Sequence, residues 1–152
     1  MKIGLTSIAL LIIILASCQK DPVKPDTPPV KTIEELLTAK AWKADEVRVQ
    51  LSNNTTSYYK RGGTTNTGDY DSDSLRFNTD NTGIYYYSGS QYTTTWNFTN
   101  TDKSKMTLII NYSSPLTVNI ENINITATYF KYAQYSTVGG ISYLASGTRL
   151  PN

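Results

Sequence analysis

From Trp42 to Tyr129 apolar side chains recur at every second position, and this constrains the fold more than any other feature of the chain. Trp42 and Ala44 fall on one side, followed by Val47, Val49 and Leu51 with a bulge expected between the two groups. Leu75 and Phe77 face one way, and so do Tyr92, Thr94, Trp96 and Phe98. The pattern continues through Met106, Leu108, Ile110 and Tyr112, then Leu116, Val118 and Ile120, then Ile123, Ile125, Ala127 and Tyr129. Thr, Asn, Ser, Lys and Arg occupy the alternate positions. A period of two over successive segments specifies antiparallel strands with one face buried.

The joints between these segments carry turn chemistry. Asn78-Thr79-Asp80-Asn81-Thr82-Gly83, Ser88-Gly89-Ser90, Asn100-Thr101-Asp102-Lys103 and Ser113-Ser114-Pro115 interrupt the alternation. Strands are expected near 42–51, 56–61, 73–78, 83–88, 91–98, 105–112, 116–121 and 123–131, with one long loop over 62–71. Short connections pair sequential neighbours, and strands that close on themselves leave no exposed edges. The expected fold is therefore all-β, an up-and-down antiparallel barrel of about eight strands; a β-sandwich is the alternative that alternation leaves open. Residues 133–152 fit less well: Ile141 to Leu144 could add a strand, but Gly139-Gly140 and the polar end also suit a loose tail.

One helix is expected. Thr32-Ile33-Glu34-Glu35 has the form of a capping box, and Ile33, Leu36 and Leu37 share a face of the turns that follow. The helix, then Ala39-Lys40-Ala41-Trp42 opening the first strand, then Leu75, Phe77, Asp80 and Gly83 in a Leu-x-Phe-x-x-Asp-x-x-Gly strand-turn-strand, resembles small lipocalin-like lipoproteins of Bacteroidetes. The resemblance spans residues 33–131. It departs from the pattern before Trp42, where Ala39 or Lys40 replaces a glycine, and at Asn81-Thr82-Gly83, which replaces a tighter Asp-Gly turn. It implies a barrel that binds a small, partly apolar ligand.

The N-terminus carries a different signal. Met1 and Lys2 precede an apolar run from Ile8 to Leu15, shorter than the roughly 20 residues of a spanning helix and of the kind that directs secretion. The run ends in Leu15-Ala16-Ser17-Cys18, with the chain's single cysteine last, and this resembles the lipobox of bacterial lipoproteins. The resemblance implies cleavage before Cys18 and its acylation, including palmitate, so that the bilayer becomes a partner; two or more chains anchor a protein stably. Residues 19–31 hold Pro22, Pro25, Pro28 and Pro29, a semi-extended tether reaching about 40 Å at the polyproline rise. Gln19-Lys20-Asp21 resembles the start of a surface-export signal in Bacteroidetes lipoproteins, which places the expected anchor at the outer membrane, on its periplasmic face or at the cell surface. The organisation is then a signal peptide (1–17), an acylated Cys18 with its Pro-rich tether (18–31) and a single barrel domain (32–152).

Composition narrows the chemistry. With 14 basic and 12 acidic residues the chain has a net charge of +2, and loss of Lys2 with the signal segment leaves about +1, no footprint for nucleic acid. No histidine is present, which removes the usual general base and the commonest zinc ligand. Glu46 and Glu121 would form a glycosidase-like pair only if both pointed into the barrel; as ordinary strand charges they face solvent. Neither catalysis nor a cofactor is expected. Asp69, Asp71 and Asp73 alternate as calcium-loop ligands do, but Ser74 stands where such a loop needs glycine, so the metal reading is weak and a solvated loop near Lys60 and Arg61 is the plain one. Twelve tyrosines are many for this length, and in strands they are good formers of sheet whatever else they do. Tyr58, Tyr59, Tyr85 and Tyr87 lie beside turns where a barrel opens, making them candidate ligand contacts for an apolar molecule or glycan. The second functional expectation is a structural or interaction module with a filled barrel and a protein or glycan partner.

Overall fold

The computed structural model describes residues 29–152; the signal segment, Cys18 and the tether as far as Pro28 lie outside the described residues. The capping box forms as written: Thr32 Oγ1 accepts from the Glu35 N–H at 3.2 Å and the Glu35 carboxylate accepts from the Thr32 N–H at 2.7 Å. It starts α1 (Ile33–Thr38), whose Leu37 is completely buried and whose Leu37 carbonyl accepts the Trp42 indole N–H at 2.8 Å. The helix thus stops one end of the barrel. No helix among the described residues is long and apolar enough to cross a membrane.

Nine antiparallel strands follow: β1 (Ala41–Leu51), β2 (Thr56–Lys60), β3 (Ser74–Phe77), β4 (Thr82–Tyr87), β5 (Ser90–Phe98), β6 (Met106–Ile110), β7 (Leu116–Ile125), β8 (Phe130–Val138) and β9 (Ile141–Pro151). Neighbours pair in order from β3 to β9, and β9 returns to pair with β1 along its length, from Trp42↔Pro151 to Leu51↔Tyr143. The other edge of β1 is divided. β3 takes Ala41–Lys43 and β2 takes Glu46–Gln50. Eight strands therefore close the ring and β2 flanks it as a ninth. The expected bulge lies between Ala44 and Glu46, where this edge changes partner. Closure excludes the sandwich, because each barrel strand has a neighbour on both sides.

The chain's second half departs from expectation at three points. The break expected after Glu121 is a bulge inside one continuous β7, with Asn122 at φ 53°. The extra residue shifts parity, so that Ile120 and Ile123 both reach the core although three positions apart. The turn comes later, with the Thr126 N–H donating to the Tyr129 carbonyl, and Phe130 rather than Tyr129 enters the core, fully buried. Finally, residues 133–152 are no loose tail. Gly139 and Gly140, at φ 56° and 79°, form the two-residue turn between paired Val138 and Ile141, and β8 and β9 close the barrel.

Rings fill the closed half of the interior. Trp42, Phe77, Trp96, Phe98 and Phe130 meet there edge to face, with Phe77–Trp96 at 5.7 Å and Trp42–Phe130 at 5.9 Å between centroids. Leu37, Met106, Ile120 and Ile125 pack around them. Gly83, expected as a turn residue, sits inside β4: a Cβ there would lie 2.4 Å from the Arg76 carbonyl oxygen and 2.6 Å from Thr94 Oγ1. The left-handed turn position is Asn81, at φ 65°.

Candidate functional site

The open end of the barrel, opposite α1, is lined by tyrosines because β4, β5 and the residues just after β6 each place one or two on the inner face. Tyr85 pairs with Tyr92 across β4 and β5, and Tyr87 follows Tyr85 on the same face. The Tyr85 and Tyr87 rings stack at 5.9 Å and 10°, and Tyr92 meets Tyr112 at 4.5 Å. Tyr70, carried in by the long loop, lies 6.3 Å from Tyr87 and 5.6 Å from Tyr59. The result is an aromatic half-collar along one side of the mouth.

Beneath the collar is a buried ion pair. Arg149 on β9 donates from Nη1 to Asp73 Oδ1 at 2.5 Å and to the Trp42 carbonyl at 3.2 Å, and from Nε to the Tyr132 hydroxyl at 3.0 Å. The Tyr85 hydroxyl donates to the other Asp73 oxygen at 2.8 Å. The Ala44 N–H donates to the Asp73 carbonyl at 2.9 Å, which ties Asp73 to β1 at the bulge. The two charged side chains are 5% and 3% exposed, so each depends on the other for charge compensation. Burial opposes the charge of Arg149, but Asp73, with Tyr132 and Tyr85 beside it, outweighs burial, and the guanidinium stays charged well beyond its ordinary range. Burial first, then the Asp73 charge, pushes the Tyr85 hydroxyl up; burial also raises Tyr132. Gly147 makes room for this network, since a Cβ there would meet the Tyr132 ring at 2.8 Å.

Above the pair remains a cavity of 120 Å³ between Val47, Leu75, Leu108, Ile110, Tyr112 and Val118. That is about the space of four liquid waters, and well under the roughly 300 Å³ at which pockets for drug-sized ligands begin.

The sequence-derived candidates disperse. Tyr85 and Tyr87 meet on the inner face at the mouth. Tyr58 does not join them: it pairs with Arg48 on the outer face, and that guanidinium lies 4.8 Å from its ring. Tyr59 is on the inner side but 1% exposed, its hydroxyl donating to Asp71 at 2.5 Å, so it seals the wall rather than lining an opening. Burial, then this hydrogen bond, pushes Tyr59 up to about 12.

The acidic triplet separates as well. Asp69 accepts from the Asp71 N–H, Asp71 holds Tyr59, and Asp73 turns inward to Arg149; no three His, Cys, Asp or Glu side chains among the described residues converge as metal ligands. Of the expected loop contacts, Arg61 lies 3.9 Å from Asp71, whereas Lys60 pairs with Asp45. Glu46 and Glu121 both point outward, to Arg48 and Lys105. Arg149 and the collar residues Tyr70, Tyr92 and Tyr112 were not legible as a site, although Tyr92 and Tyr112 already stand on the buried face by alternation. Comparison with protein-family models, curated proteins and solved structures returned no match.

Proposed function

We propose that this chain is a non-enzymatic lipoprotein of the cell envelope, held at the outer membrane by acylated Cys18, whose barrel serves as a filled scaffold for an interaction surface. The observation that carries the scaffold reading is the interior: five large rings occupy the closed half, and the cavity in the open half measures 120 Å³. A fatty acid or porphyrin would have to displace packed side chains and the ion pair, and desolvated charges left unpaired are costly. The groups inside the barrel suit structure rather than proton transfer, since Tyr85 and Tyr132 keep their protons and Arg149 its charge. The lipocalin-like resemblance supports the barrel with its helix stopper, and the anchor rests on Leu15-Ala16-Ser17-Cys18.

The geometry also fixes the end of the barrel at which the chain enters. Thr32 enters at the stoppered end, and the barrel extends roughly 25 Å from there for an eleven-residue strand tilted as barrel strands are. The open end therefore points away from the attachment point. Two measurements test the proposal. An environment-sensitive hydrophobic probe titrated into the protein should show no saturable binding and no rise in melting temperature; one-site saturation with stabilisation would restore the ligand-cup reading. Cys18→Ala, followed by fractionation with a lipid label, should give an uncleaved or mislocalised product, and mature-mass protein in the membrane pellet would sink the anchor.

A further inference from the structure

The four strands β7, β8, β9 and β1 place one row of outward side chains side by side near the open end. Asn119 stands opposite Tyr135, Tyr135 opposite Leu144, and Leu144 opposite Gln50. Three strand spacings of about 4.8 Å make this row roughly 14 Å long. Nearer the rim a second row repeats the chemistry with hydroxyls, Thr137 opposite Ser142, whose carbonyl accepts from the Ser52 N–H at 3.0 Å. Together with Asn54, Thr117 and the half-buried Tyr143 they border an open groove of 820 Å³.

Three properties of this groove select its occupant. None of its fourteen lining residues is charged, in a chain where 17% of residues are. Amides and hydroxyls surround exposed aromatic surface: Tyr135 is 42% exposed at the centre of the row, and the Gln50 and Asn54 side chains line the same groove. That mixture matches the hydroxyls and the apolar C–H faces of a sugar ring. Lastly, the floor offers no free strand edge, because β7, β8, β9 and β1 are each paired on both sides. A peptide could not add as a strand there, so recognition runs through side chains.

We infer that this rim groove binds a neutral oligosaccharide. The inference rests on the interaction-module reading and names its partner class. The groove lies at the end opposite the tether, where a polysaccharide in the medium or the cell wall can reach it.

The test uses full-length protein in detergent on an array of neutral and acidic oligosaccharides, followed by affinity electrophoresis in gels containing neutral mannan, xylan or amylopectin, with polygalacturonate as the acidic control. Retardation by a neutral glycan and none by polygalacturonate is expected. Tyr135→Ala and Gln50→Ala should each weaken that retardation about tenfold with an unchanged melting temperature. Tyr86→Ala, an exposed tyrosine on the opposite wall (40% exposed), should leave it intact. Absence of binding to every neutral glycan, binding to the acidic one alone, or equal loss in Tyr86→Ala and Tyr135→Ala would each overturn the inference. Capture of a protein partner with no glycan retained would overturn it too while leaving the scaffold reading standing; that reading fails separately, through the hydrophobic-probe titration.

Discussion

The Asp73–Arg149 pair permits a demanding test, because it makes two damaging changes combine into a mild one. Asp73→Leu leaves a guanidinium that is only 5% exposed with no counter-charge and removes the acceptor of the Tyr85 hydroxyl. An uncompensated buried charge costs about 3–5 kcal/mol, and a stranded hydroxyl adds about 1 kcal/mol. Arg149→Met strands the carboxylate in the same way and takes a donor from the Tyr132 hydroxyl and the Trp42 carbonyl, again about 3–5 kcal/mol. Either loss is a large share of the roughly 5–15 kcal/mol that holds a domain together. The double variant strands no charge and puts apolar groups of similar size between Leu75, Tyr85 and Phe130, so it should lie within about 2 kcal/mol of the parent. The resulting coupling energy is about 5 kcal/mol or more, above the usual range for contacting residues because each single change strands a buried charge. Urea melts followed through the buried Trp42 and Trp96 fluorescence measure all four corners, with a constant slope as the check on two-state behaviour. Single variants within about 1 kcal/mol of the parent, or a double variant equal to the sum of the singles, would refute the claim that the two charges compensate each other in a dry interior.

Other expectations follow from packing and burial. Trp96→Ala should cost about 3–5 kcal/mol, since the ring packs on Phe77 and Phe98 and its N–H donates to the Thr82 carbonyl, while Thr95→Ala on the outer face should cost under about 0.5 kcal/mol; equal costs in urea melts would contradict the register. Gly83→Ala forces a methyl against the Arg76 carbonyl and should cost about 1–3 kcal/mol or prevent folding, whereas Gly89→Ala meets open space and pays about 1 kcal/mol for its φ of 76°; thermal melts of the two separate crowding from backbone strain. Tyr59 and Tyr112 hold their protons up to about 12, so between pH 10, where unfolded tyrosine ionises, and 12 the folded chain binds more protons than the unfolded one. Their contribution is complete below pH 10 and drains away above it. A urea midpoint that stays level past pH 11 would contradict this.

Strands β1 and β3 to β6 were legible because their inner positions are apolar and their outer ones polar, with Trp42, Phe77 and Trp96 marking the buried side. The last two strands were not, because their pattern is partly inverted. Gln134, Ser136, Gly147 and Arg149 point inward, while Tyr135, Leu144 and Leu150 point out. A rule that equates apolar with buried misreads such a strand, yet Gly139-Gly140 between two strand-like runs was a hairpin signal in its own right. The bulge at Asn122 hid the unity of β7 by moving its inner residues onto the opposite parity. At the mouth, Tyr85 and Tyr87 could be assigned to one face by counting. The Asp73–Arg149 contact spans 76 positions, and no local pattern announces which acid will meet which base. The rim row from Asn119 to Gln50 was equally invisible, since it exists only once the barrel's register is fixed.

The divided edge of β1 splits the molecule into a ring and an excursion. The chain leaves the ring at Leu51 and rejoins it near Asp73, and the segment between contributes no strand to the closure. Much of its outer side is self-finished, because the N–H groups of Thr67 and Gly68 both donate to the Tyr58 carbonyl and the Lys60 N–H donates to Asn66 Oδ1. Such a segment can open and exchange its amide protons while the ring stays shut. It can also vary in length and content without altering the stagger of the eight ring strands. The fold therefore has a place where new loops can be accommodated, and the rim groove, built on β7, β8, β9 and β1, borders it.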